Sequence, residues 1–397
     1  MTNDLGPVLG VGMVGYAFMG ATHSQAWRTV GRFFDLPFSP SMAVLCGRDH
    51  DGVTAAARRL GWAAVETDWK ELVKRDDVQV VDVCTPGDTH PEIAIAALEA
   101  GKHVLCEKPL ANTVEEAVAM TEAAERARAR GVRSMVGFNY RRVPAIMLAR
   151  QLVQAGRLGT IHHVRAQYLQ DWIVDPEYPL VWRLQKERAG SGALGDIGAH
   201  IIDLAQFVTG QRLVGVSALT ETFVKERPLP EASSGLAAAA GGSGRGAVTV
   251  DDAALFFTRF DGGALGSFEA SRFASGRKNA IRIELNGSAG SLAFDFESMN
   301  ELHFHDHTEH KAVPDVAGFR RILVTEPSHP YLAAWWPPGH PIGYEHTFTH
   351  EVYDFLRAVA EGTDPAPSFA DGLQVQRVLD AVERSAAHQS TWTDVGG

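Results

Sequence analysis

A lysine between a glutamate and a proline, in Glu107-Lys108-Pro109, is the first candidate for chemistry in this chain. The tripeptide ends an apolar run that is typical of a buried strand, and the strand stops there because proline cannot donate to a ladder. Ligands bind α/β sheets in the crevice outside the carboxyl ends of the strands, where this lysine would lie. Lys108 is therefore a candidate for contact with a ligand in this crevice; on the tripeptide alone, the alternative is a solvated lysine at a strand end.

A carboxylate and an imidazole four residues apart, Asp196 and His200, form the second candidate. Residues three or four apart share one helix face, so Asp203 can project with them. A carboxylate beside a histidine raises its pKa and fixes its orientation, which suits a general base that takes a hydroxyl proton near neutral pH. The alternative is a helix N-terminus capped by Asp196, with His200 packed in the core.

The G-x-G-x-x-G pattern of dinucleotide-binding turns matches Gly10-Val11-Gly12-Met13-Val14-Gly15, between a predicted strand and a predicted helix. In this pattern the first glycine allows the tight turn, the second lets the backbone approach a pyrophosphate, and the third permits close helix–strand packing. The N-terminus of the following helix faces the anion. The motif predicts a bound NAD or NADP.

The end of the second predicted strand leaves the choice between these two cofactors open. Arg48 can pair with the 2′-phosphate of NADP, whereas Asp49 can accept from the ribose hydroxyl of NAD. The loop after the third clear strand should lie over the cofactor and supplies Thr85, Pro86 and His90 as candidate contacts. The alternative for His90 is that it only caps or orients this loop.

The elements that must position these residues predict two domains. In residues 1–140, apolar runs alternate with helical patterns, which predicts an α/β fold with a doubly wound parallel sheet. Its first elements are a strand at Pro7–Val11, a helix from Gly12 to Val30, and a helix from Asp51, the possible N-cap, to Leu60. In residues 141–397, alternating strands predict an α/β domain with a large, mostly antiparallel sheet, and the segment Ser233–Gly246 predicts a loop.

Composition excludes several classes of protein. The 397 residues carry a net charge of −11, which argues against a nucleic-acid surface. No apolar run approaches the ~20 residues of a membrane helix, and the N-terminal residues show no signal-peptide pattern. The three cysteines, Cys46, Cys84 and Cys106, predict reduced core thiols in a cytoplasmic protein.

A run of histidines near the end of the chain raises the question of a metal site. Strand alternation would place His303, His305 and His307 on one face. We predict an exposed strand edge and no metal at this position.

Together these motifs resemble the glucose–fructose oxidoreductase/inositol dehydrogenase/rhizopine catabolism family, Gfo/Idh/MocA. The resemblance covers nearly the whole chain. It rests on Gly10–Gly15, Thr85-Pro86 with His90, Glu107-Lys108-Pro109, Gly137-Phe138-Asn139-Tyr140-Arg141, Trp182-Arg183, Gly192–Asp203 and Asp371-Gly372.

The resemblance implies an N-terminal Rossmann domain, a C-terminal substrate-binding and oligomerisation domain, and last helices that pack back toward the N-terminal domain. It implies hydride transfer between nicotinamide and a secondary alcohol of a sugar, anhydrosugar or cyclitol. Lys108, next to a cis peptide bond to Pro109, would contact substrate and cofactor, and Asp196 and His200 would flank the reacting hydroxyl. It also implies further cofactor contacts at Glu107 and Asn139, further substrate contacts at Tyr140, Trp182 and Arg183, and a homodimer or homotetramer formed through the C-terminal sheet.

Residues 32–40, Arg-Phe-Phe-Asp-Leu-Pro-Phe-Ser-Pro, look like an extension between the first helix and the second strand. This extension is similar to one in a sugar-dehydrogenase branch that includes levoglucosan-type enzymes. Two alternatives to a dehydrogenase share the fold: a non-catalytic sensor of a nucleotide or sugar, and a glycosidase that keeps NAD bound. A sensor needs no proton-transfer residues, so the presence of Lys108, Asp196 and His200 favours an enzyme.

Overall fold

A computed structural model describes residues 7–232 and 239–396 of the protein. The α-helices are α1 (Phe18–Phe33), α2 (His50–Leu60), α3 (Trp69–Lys74), α4 (His90–Glu99), α5 (Val114–Arg128), α6 (Pro144–Gln154), α7 (Lys186–Ala189), α8 (Ala199–Thr209), α9 (His307–Ala312), α10 (Tyr344–Glu361) and α11 (Phe369–Ala387). The strands are β1 (Val8–Val14), β2 (Ser39–Cys46), β3 (Ala64–Glu66), β4 (Val80–Val83), β5 (His103–Glu107), β6 (Ser134–Gly137), β7 (Ile161–Leu169), β8 (Leu213–Glu221), β9 (Glu226–Ala232), β10 (Ala239–Ala247), β11 (Ala253–Phe260), β12 (Leu265–Ser271), β13 (Ala280–Gly287), β14 (Gly290–Asp295), β15 (Glu301–Asp306), β16 (Arg320–Leu323) and β17 (Thr393–Asp394).

These elements form two compact units. The first unit contains residues 7–139 and Tyr344–Gln376. The second unit contains Tyr140–Ala232, Ala239–Gly343 and residues 377–396. The chain thus passes from the first unit to the second at residue 140 and returns to the first with α10.

The sheet of the first unit is parallel throughout its described strands, in the order β3-β2-β1-β4-β5-β6. This is the strand order of a Rossmann fold, so the predicted doubly wound sheet is confirmed. All four residues of β4 are buried, as expected for a parallel strand with both faces covered.

The first helix begins later than the glycine pattern predicts. Helix α1 starts at Phe18 rather than at Gly12, because Gly12, Met13 and Val14 continue the buried strand β1. The N-cap of α2 also differs from the prediction: Asp49, not Asp51, caps this helix by accepting from the backbone N of Gly52 at 3.1 Å.

The core of the first unit includes side chains from both ends of the chain. Phe348, Val352, Phe355 and Leu356 of α10 are buried in the same cluster as the residues of β1 and α1. The predicted extension at residues 32–40 supplies further contacts, since Phe34, Leu36 and Phe38 pack against this cluster.

The second unit contains the large C-terminal sheet, whose described strands run in the order β16-β15-β14-β13-β7-β12-β11-β8-β17. Strand β12 pairs with β7 in parallel, and the other neighbours in this order are antiparallel. The predicted large, mostly antiparallel sheet is therefore confirmed. Buried and exposed residues alternate along β11, which is typical of a sheet with one solvated face.

Two predictions for the second unit need correction. Of the predicted loop Ser233–Gly246, residues 233–238 lie outside the described residues, and Ala239–Ala247 forms β10, paired antiparallel with β9. His307 begins α9 instead of continuing β15, so the strand alternation covers His303 and His305 alone among the three histidines. Across the described ranges, no helix has both the length and the apolar character needed to span a membrane.

Candidate functional site

Gly15, Tyr16 and Ala17 form the turn between β1 and α1. Gly15 has a φ of +102°, a conformation that residues with a side chain rarely adopt. A Cβ on Gly20, in the first turn of α1, would lie 2.2 Å from the carbonyl oxygen of Gly15. The turn therefore follows a G-x-A-x-x-G pattern over residues 15–20, five residues later than predicted.

The predicted cofactor contacts Gly10, Gly12, Met13 and Val14 lie inside strand β1 instead. A Cβ on Gly12 would lie 2.8 Å from the side chain of Leu72 in α3, and one on Gly10 would lie 1.8 Å from the Asp77 carbonyl oxygen. Gly10 and Gly12 are therefore needed because protein packs closely against the strand, not because a pyrophosphate approaches it. We correct their assignment as cofactor contacts accordingly.

The N-terminus of α1 fits a phosphate group. No side chain among the described residues caps Ala17, the N-cap, and the first turn carries no acidic residue. The free N–H groups and the positive end of the helix dipole favour an anion at this position. This end of the helix meets the requirements of a dinucleotide pyrophosphate.

The end of β2 shows how Arg48 and Asp49 are placed. Arg48 is exposed, whereas the Asp49 carboxylate caps α2. The Tyr16 ring packs on Gly47, since a Cβ there would lie 2.0 Å from a ring carbon. Arg48 thus stays available to a 2′-phosphate, and Asp49 has a structural task in addition to any ribose contact.

His90 joins two loops at the carboxyl ends of the parallel strands. Its ring is buried, with Nδ1 3.0 Å from the Pro109 carbonyl oxygen and Nε2 2.8 Å from that of Thr85. Burial lowers the pKa of His90. Because both ring nitrogens face backbone carbonyls, the structure favours the loop-orienting alternative over a direct cofactor contact. Thr85 and Pro86 themselves lie in the loop that His90 holds.

Lys108 directly follows β5 and is half-buried. The peptide bond to Pro109 is cis, as the family resemblance implied. The backbone N of Lys108 donates to Glu107 Oε2 at 3.1 Å, and Glu107 is buried. Asn139 is also buried, with its Nδ2 donating to Thr347 Oγ1 at 2.9 Å. Both predicted cofactor contacts, Glu107 and Asn139, therefore have partners within the protein.

In the second unit, Asp196 and His200 lie where a π-helical turn continues into α8. The π-helix spans Leu194–Gly198 and contains Asp196, and His200 is a buried residue in the first turn of α8. Asp196 is thus inside a helical turn and is not the cap that the alternative reading of the sequence required. Single π-helical turns frequently occur at functional sites.

Asp251 and Arg272 hold this turn in place, and the sequence motifs did not indicate either residue. The Asp251 carboxylate accepts from the backbone N atoms of Gly192 at 2.6 Å and Leu194 at 2.8 Å. The fully buried Arg272 places Nη1 3.6 Å from Asp196 Oδ2, and its Nη2 donates to the Asp251 carbonyl oxygen at 3.1 Å. A guanidinium therefore faces the carboxylate of the proposed site.

Two aromatic rings border His200. The ring centroid of Tyr140 lies 4.8 Å and that of Tyr168 5.8 Å from the centroid of the imidazole. The two phenol oxygens are 2.9 Å apart, and Tyr168 donates to Asn279 Oδ1 at 2.6 Å. Tyr140, a predicted substrate contact, thus belongs to a polar group beside the candidate base.

This polar group extends through two further side chains that the sequence did not single out. Gln170 Nε2 donates to Asn279 Oδ1 at 2.9 Å, and Trp172 Nε1 donates to Gln170 Oε1 at 3.0 Å. The Arg272 guanidinium lies 5.4 Å from the ring centroid of Trp172. Amide groups, an indole ring and a cation near Asp196 are the kinds of group that bind sugar hydroxyls and sugar ring faces.

Three other predicted residues have contacts that define their roles. Asp203 is paired with Arg141, with Nε donating to Oδ2 at 2.8 Å and Nη2 to Oδ1 at 2.5 Å, so it does not belong to the proton-transfer group. Trp182 and Arg183 stack on each other, with the guanidinium 4.4 Å from the ring centroid. The Arg183 carbonyl oxygen accepts from Arg272 Nη1 at 3.4 Å.

Comparison with known proteins gives the family. Residues 9–138 match the model of the oxidoreductase family with an NAD-binding Rossmann fold, and residues 146–293 match the GFO/IDH/MocA C-terminal domain. Levoglucosan dehydrogenase from Pseudarthrobacter phenanthrenivorans is 44% identical over 98% of both chains.

Solved structures agree with the sequence matches. An oxidoreductase domain protein from Kribbella flavida is 68% identical with a TM-score of 0.93, over 98% of this chain and 100% of that one. A levoglucosan dehydrogenase in complex with NADH and levoglucosan is 43% identical with a TM-score of 0.91, over 98% and 99% of the two chains. The chain therefore belongs to the GFO/IDH/MocA family of NAD-binding oxidoreductases.

Proposed function

We propose that this enzyme oxidises a secondary hydroxyl of an anhydrosugar such as levoglucosan, with NAD as the hydride acceptor. The family acts on sugar and cyclitol hydroxyls with a nicotinamide cofactor, and the relatives that match over the whole length include levoglucosan dehydrogenase. These relatives argue against the sensor and glycosidase alternatives.

One observation carries the mechanism: His200 is buried under two tyrosine rings on a helix whose π-helical first turn carries Asp196. In our proposal, His200 takes the proton of the reacting hydroxyl. Asp196 orients the substrate hydroxyl and stabilises the charge that forms on the imidazole. Arg272 holds the Asp196 carboxylate in place.

Lys108 hydrogen-bonds the same hydroxyl oxygen and stabilises the alkoxide character that develops as the proton leaves. Its contribution grows in the transition state, which is the condition for an interaction to raise kcat. A bound nicotinamide would supply the acceptor for the hydride that leaves the substrate carbon. The chain's own residues supply orientation and proton transfer.

Substrate and cofactor contacts follow from the groups that border these residues. Tyr140, with Gln170 and Asn279, would bind sugar hydroxyls, and Trp172 would pack on an apolar face of the sugar. We keep Trp182 and Arg183 as proposed outer contacts of the substrate. The first unit would bind the cofactor pyrophosphate at residues 15–20 and would contact nicotinamide through Thr85 and Pro86, so we propose it as the cofactor domain and the second unit as the substrate domain.

We further propose that the enzyme is a homo-oligomer formed through the open face of the C-terminal sheet. Leu219, Leu255 and Phe257 on neighbouring strands are 65%, 48% and 69% exposed on this face. They line a groove of about 750 Å³ together with charged residues of both signs, including Arg165 and Glu284. A second copy offers the same mixture of apolar and complementary charged groups. The buried thiols are compatible with a reducing compartment, and we propose the cytoplasm.

Turnover with a panel of sugars tests the proposed activity. Levoglucosan, L-sorbose, myo-inositol, D-apiose and glucose 6-phosphate are each incubated with NAD or NADP, and reduced-nicotinamide absorbance is followed. We expect the highest kcat/KM for levoglucosan with NAD. Reduction of neither cofactor by any substrate would reject the proposal, and a higher kcat/KM for inositol would assign the enzyme to cyclitols instead.

A further inference from the structure

Three ionisable side chains are buried together in the first unit. His23 of α1 is 1% exposed, Asp82 of β4 0% and Glu107 of β5 4%. His23 Nδ1 lies 3.0 Å from Asp82 Oδ2, and its Nε2 lies 2.9 Å from Glu107 Oε1. We call these three residues the His23 cluster. Such a cluster is unusual at this place, because a parallel sheet is usually covered by apolar residues.

The geometry of the cluster fits an imidazolium ion. Each ring nitrogen faces a carboxylate oxygen, and only the protonated ring carries an N–H on both nitrogens. Burial by itself lowers the pKa of His23, but the charge of the Asp82 carboxylate and its hydrogen bond to the ring raise this pKa well above its ordinary value. The Trp27 indole also donates to Asp82 Oδ2, at 2.7 Å.

A cluster of this kind could also bind a metal ion. His23, Asp82 and Cys84 place ligand atoms close enough together to hold one. However, the Asp82 carboxylate already accepts from the Trp27 indole and faces the His23 ring. The cluster is satisfied by protons, so we assign it no metal.

Glu107 connects the cluster to Lys108. One carboxylate oxygen faces the His23 ring, and the other accepts from the backbone N of Lys108 at 3.1 Å. On a third side lies Gly137 of β6, where a Cβ would stand 3.0 Å from Glu107 Oε1. The carboxylate is therefore confined, and the backbone of Lys108 is tied to it.

We propose that His23 and Glu107 are positioning residues for Lys108: the His23 ring fixes the Glu107 carboxylate, which fixes the backbone from which the lysine extends. The proposal rests on the role of Lys108 in the proposed function. A lysine side chain is long and flexible, so its backbone anchor limits where the ammonium group can act. A misplacement of about 1 Å in a catalytic group can cost roughly 100-fold in rate.

Glu107→Gln tests the link, because an amide offers one acceptor oxygen where the carboxylate offers two. It cannot accept from both His23 and the Lys108 backbone. We expect kcat for sugar oxidation to fall about 10- to 100-fold, while NAD affinity, measured by fluorescence titration, stays within about twofold of wild type. Wild-type kcat in folded Glu107→Gln would overturn the proposal.

The double variant Glu107→Gln/Lys108→Ala separates positioning from a merely structural effect. If Glu107 acts through Lys108, its substitution costs almost nothing further once the ammonium group is gone. Losses that multiply would overturn the positioning role. Wild-type turnover in Lys108→Ala alone would instead reject the proposed role of Lys108, so the two failures are distinguishable.

Two further variants control for folding. Gly137→Ala pushes on the same carboxylate without removing a hydrogen-bonding group, and we expect a smaller fall in kcat in the same direction. Trp27→Phe removes a bond at the Asp82 end, so it should lower the melting temperature and leave kcat near wild type. If Glu107→Gln does not fold, an unchanged kcat in folded Gly137→Ala overturns the proposal.

Discussion

Among single residues, His200 should matter most for turnover. We expect His200→Ala to lower kcat by about 10²–10⁴, the usual contribution of a general base, because no other group would take the hydroxyl proton. NAD affinity should stay near wild type. Steady-state kinetics and a cofactor titration measure the two effects.

His163→Ala serves as the matched control for His200, because His163 is an exposed histidine on β7 in the same unit. Its kcat should equal that of wild type. If His200→Ala also retained wild-type kcat, the proton would have to leave by another route and the proposed mechanism would be wrong.

A second prediction concerns the choice between NAD and NADP, and it depends on Arg48. Its guanidinium is exposed at the end of β2, while the neighbouring Asp49 caps α2. We expect Arg48→Ala to weaken NADP more than NAD, by the roughly 10- to 150-fold that a lost charge-assisted bond of about 1.5–3 kcal/mol implies. Titration with both cofactors measures it, with exposed Arg59→Ala as the control. Equal losses for NAD and NADP would show that Arg48 contacts no phosphate.

The candidate catalytic residues could be proposed from the sequence, but most of the residues that hold them in place could not. Lys108 on one side, and the Asp196–His200 pair on the other, could be proposed as site residues because each belongs to a short local motif. Arg272, Asp251 and Asn279 were missed because each comes from a distant segment and has no motif around it. His90 and Glu107 were identified, but their partners are protein groups that only folding brings together.

At the scale of elements, Gly12 inside β1 and Gly15 in the turn after β1 have different roles. Gly12→Ala should lower stability, because its Cβ would meet Leu72, and Leu72→Ala should restore part of the loss. Folded Gly12→Ala should bind NAD normally. Gly15→Ala should instead weaken NAD binding, because it changes the turn at the N-terminus of α1. Thermal unfolding and calorimetric titration give the two readouts.

The opposite pattern would contradict this assignment of the turn. A loss of NAD affinity in stable Gly12→Ala, with normal affinity in Gly15→Ala, would show that the pyrophosphate binds at residues 10–12. Leu72→Ala alone provides the baseline for the rescue experiment.

Element types were predictable where the hydrophobic pattern was long, and element ends were not. The buried run that became β1 contains two glycines, which looked like a turn because glycine is common there. Strand β10 was not predicted because its Ala, Gly and Ser residues have low strand propensity. Its strand conformation comes from pairing with β9, which the sequence pattern does not show. The π-helical turn at Leu194–Gly198 has no periodic signature that distinguishes it from an α-helix.

For the whole molecule, the exposed face of the C-terminal sheet predicts self-association. Phe257→Asp replaces an exposed apolar side chain of the groove with a charge, so we expect light scattering to give a lower mass than for wild type. Phe319→Asp, an exposed aromatic residue that does not line the groove, is the control and should leave the mass unchanged. An unchanged mass in folded Phe257→Asp would exclude this face as the interface.

The His23 cluster predicts how global stability depends on pH. The pKa of His23 is raised on folding, with Asp82, Glu107 and Cys84 as its ionisable neighbours. Its contribution is therefore complete below the unfolded pKa of about 6.5 and is lost as pH rises through the folded pKa. The difference in unfolding free energy between wild type and His23→Gln should shrink as pH rises above about 6.5.

His103→Gln is the control for this pH series. Burial, and then the charge of Arg133, lower the pKa of His103 to about 4, so above pH 6.5 its ring is neutral in both the folded and the unfolded protein. The stability difference for this variant should not change with pH. A flat difference for His23→Gln as well would mean that His23 is not protonated on folding.

The return of the chain to the first unit with α10 has a consequence for synthesis on the ribosome. Phe348, Val352, Phe355 and Leu356 complete the core around β1 and α1. These residues are translated about two hundred residues after β6, so part of the apolar cluster around β1 and α1 stays uncovered until they emerge. The nascent chain is then a natural client for chaperones that bind exposed apolar surface. A fragment that stops at residue 140 would stay in that unfinished state.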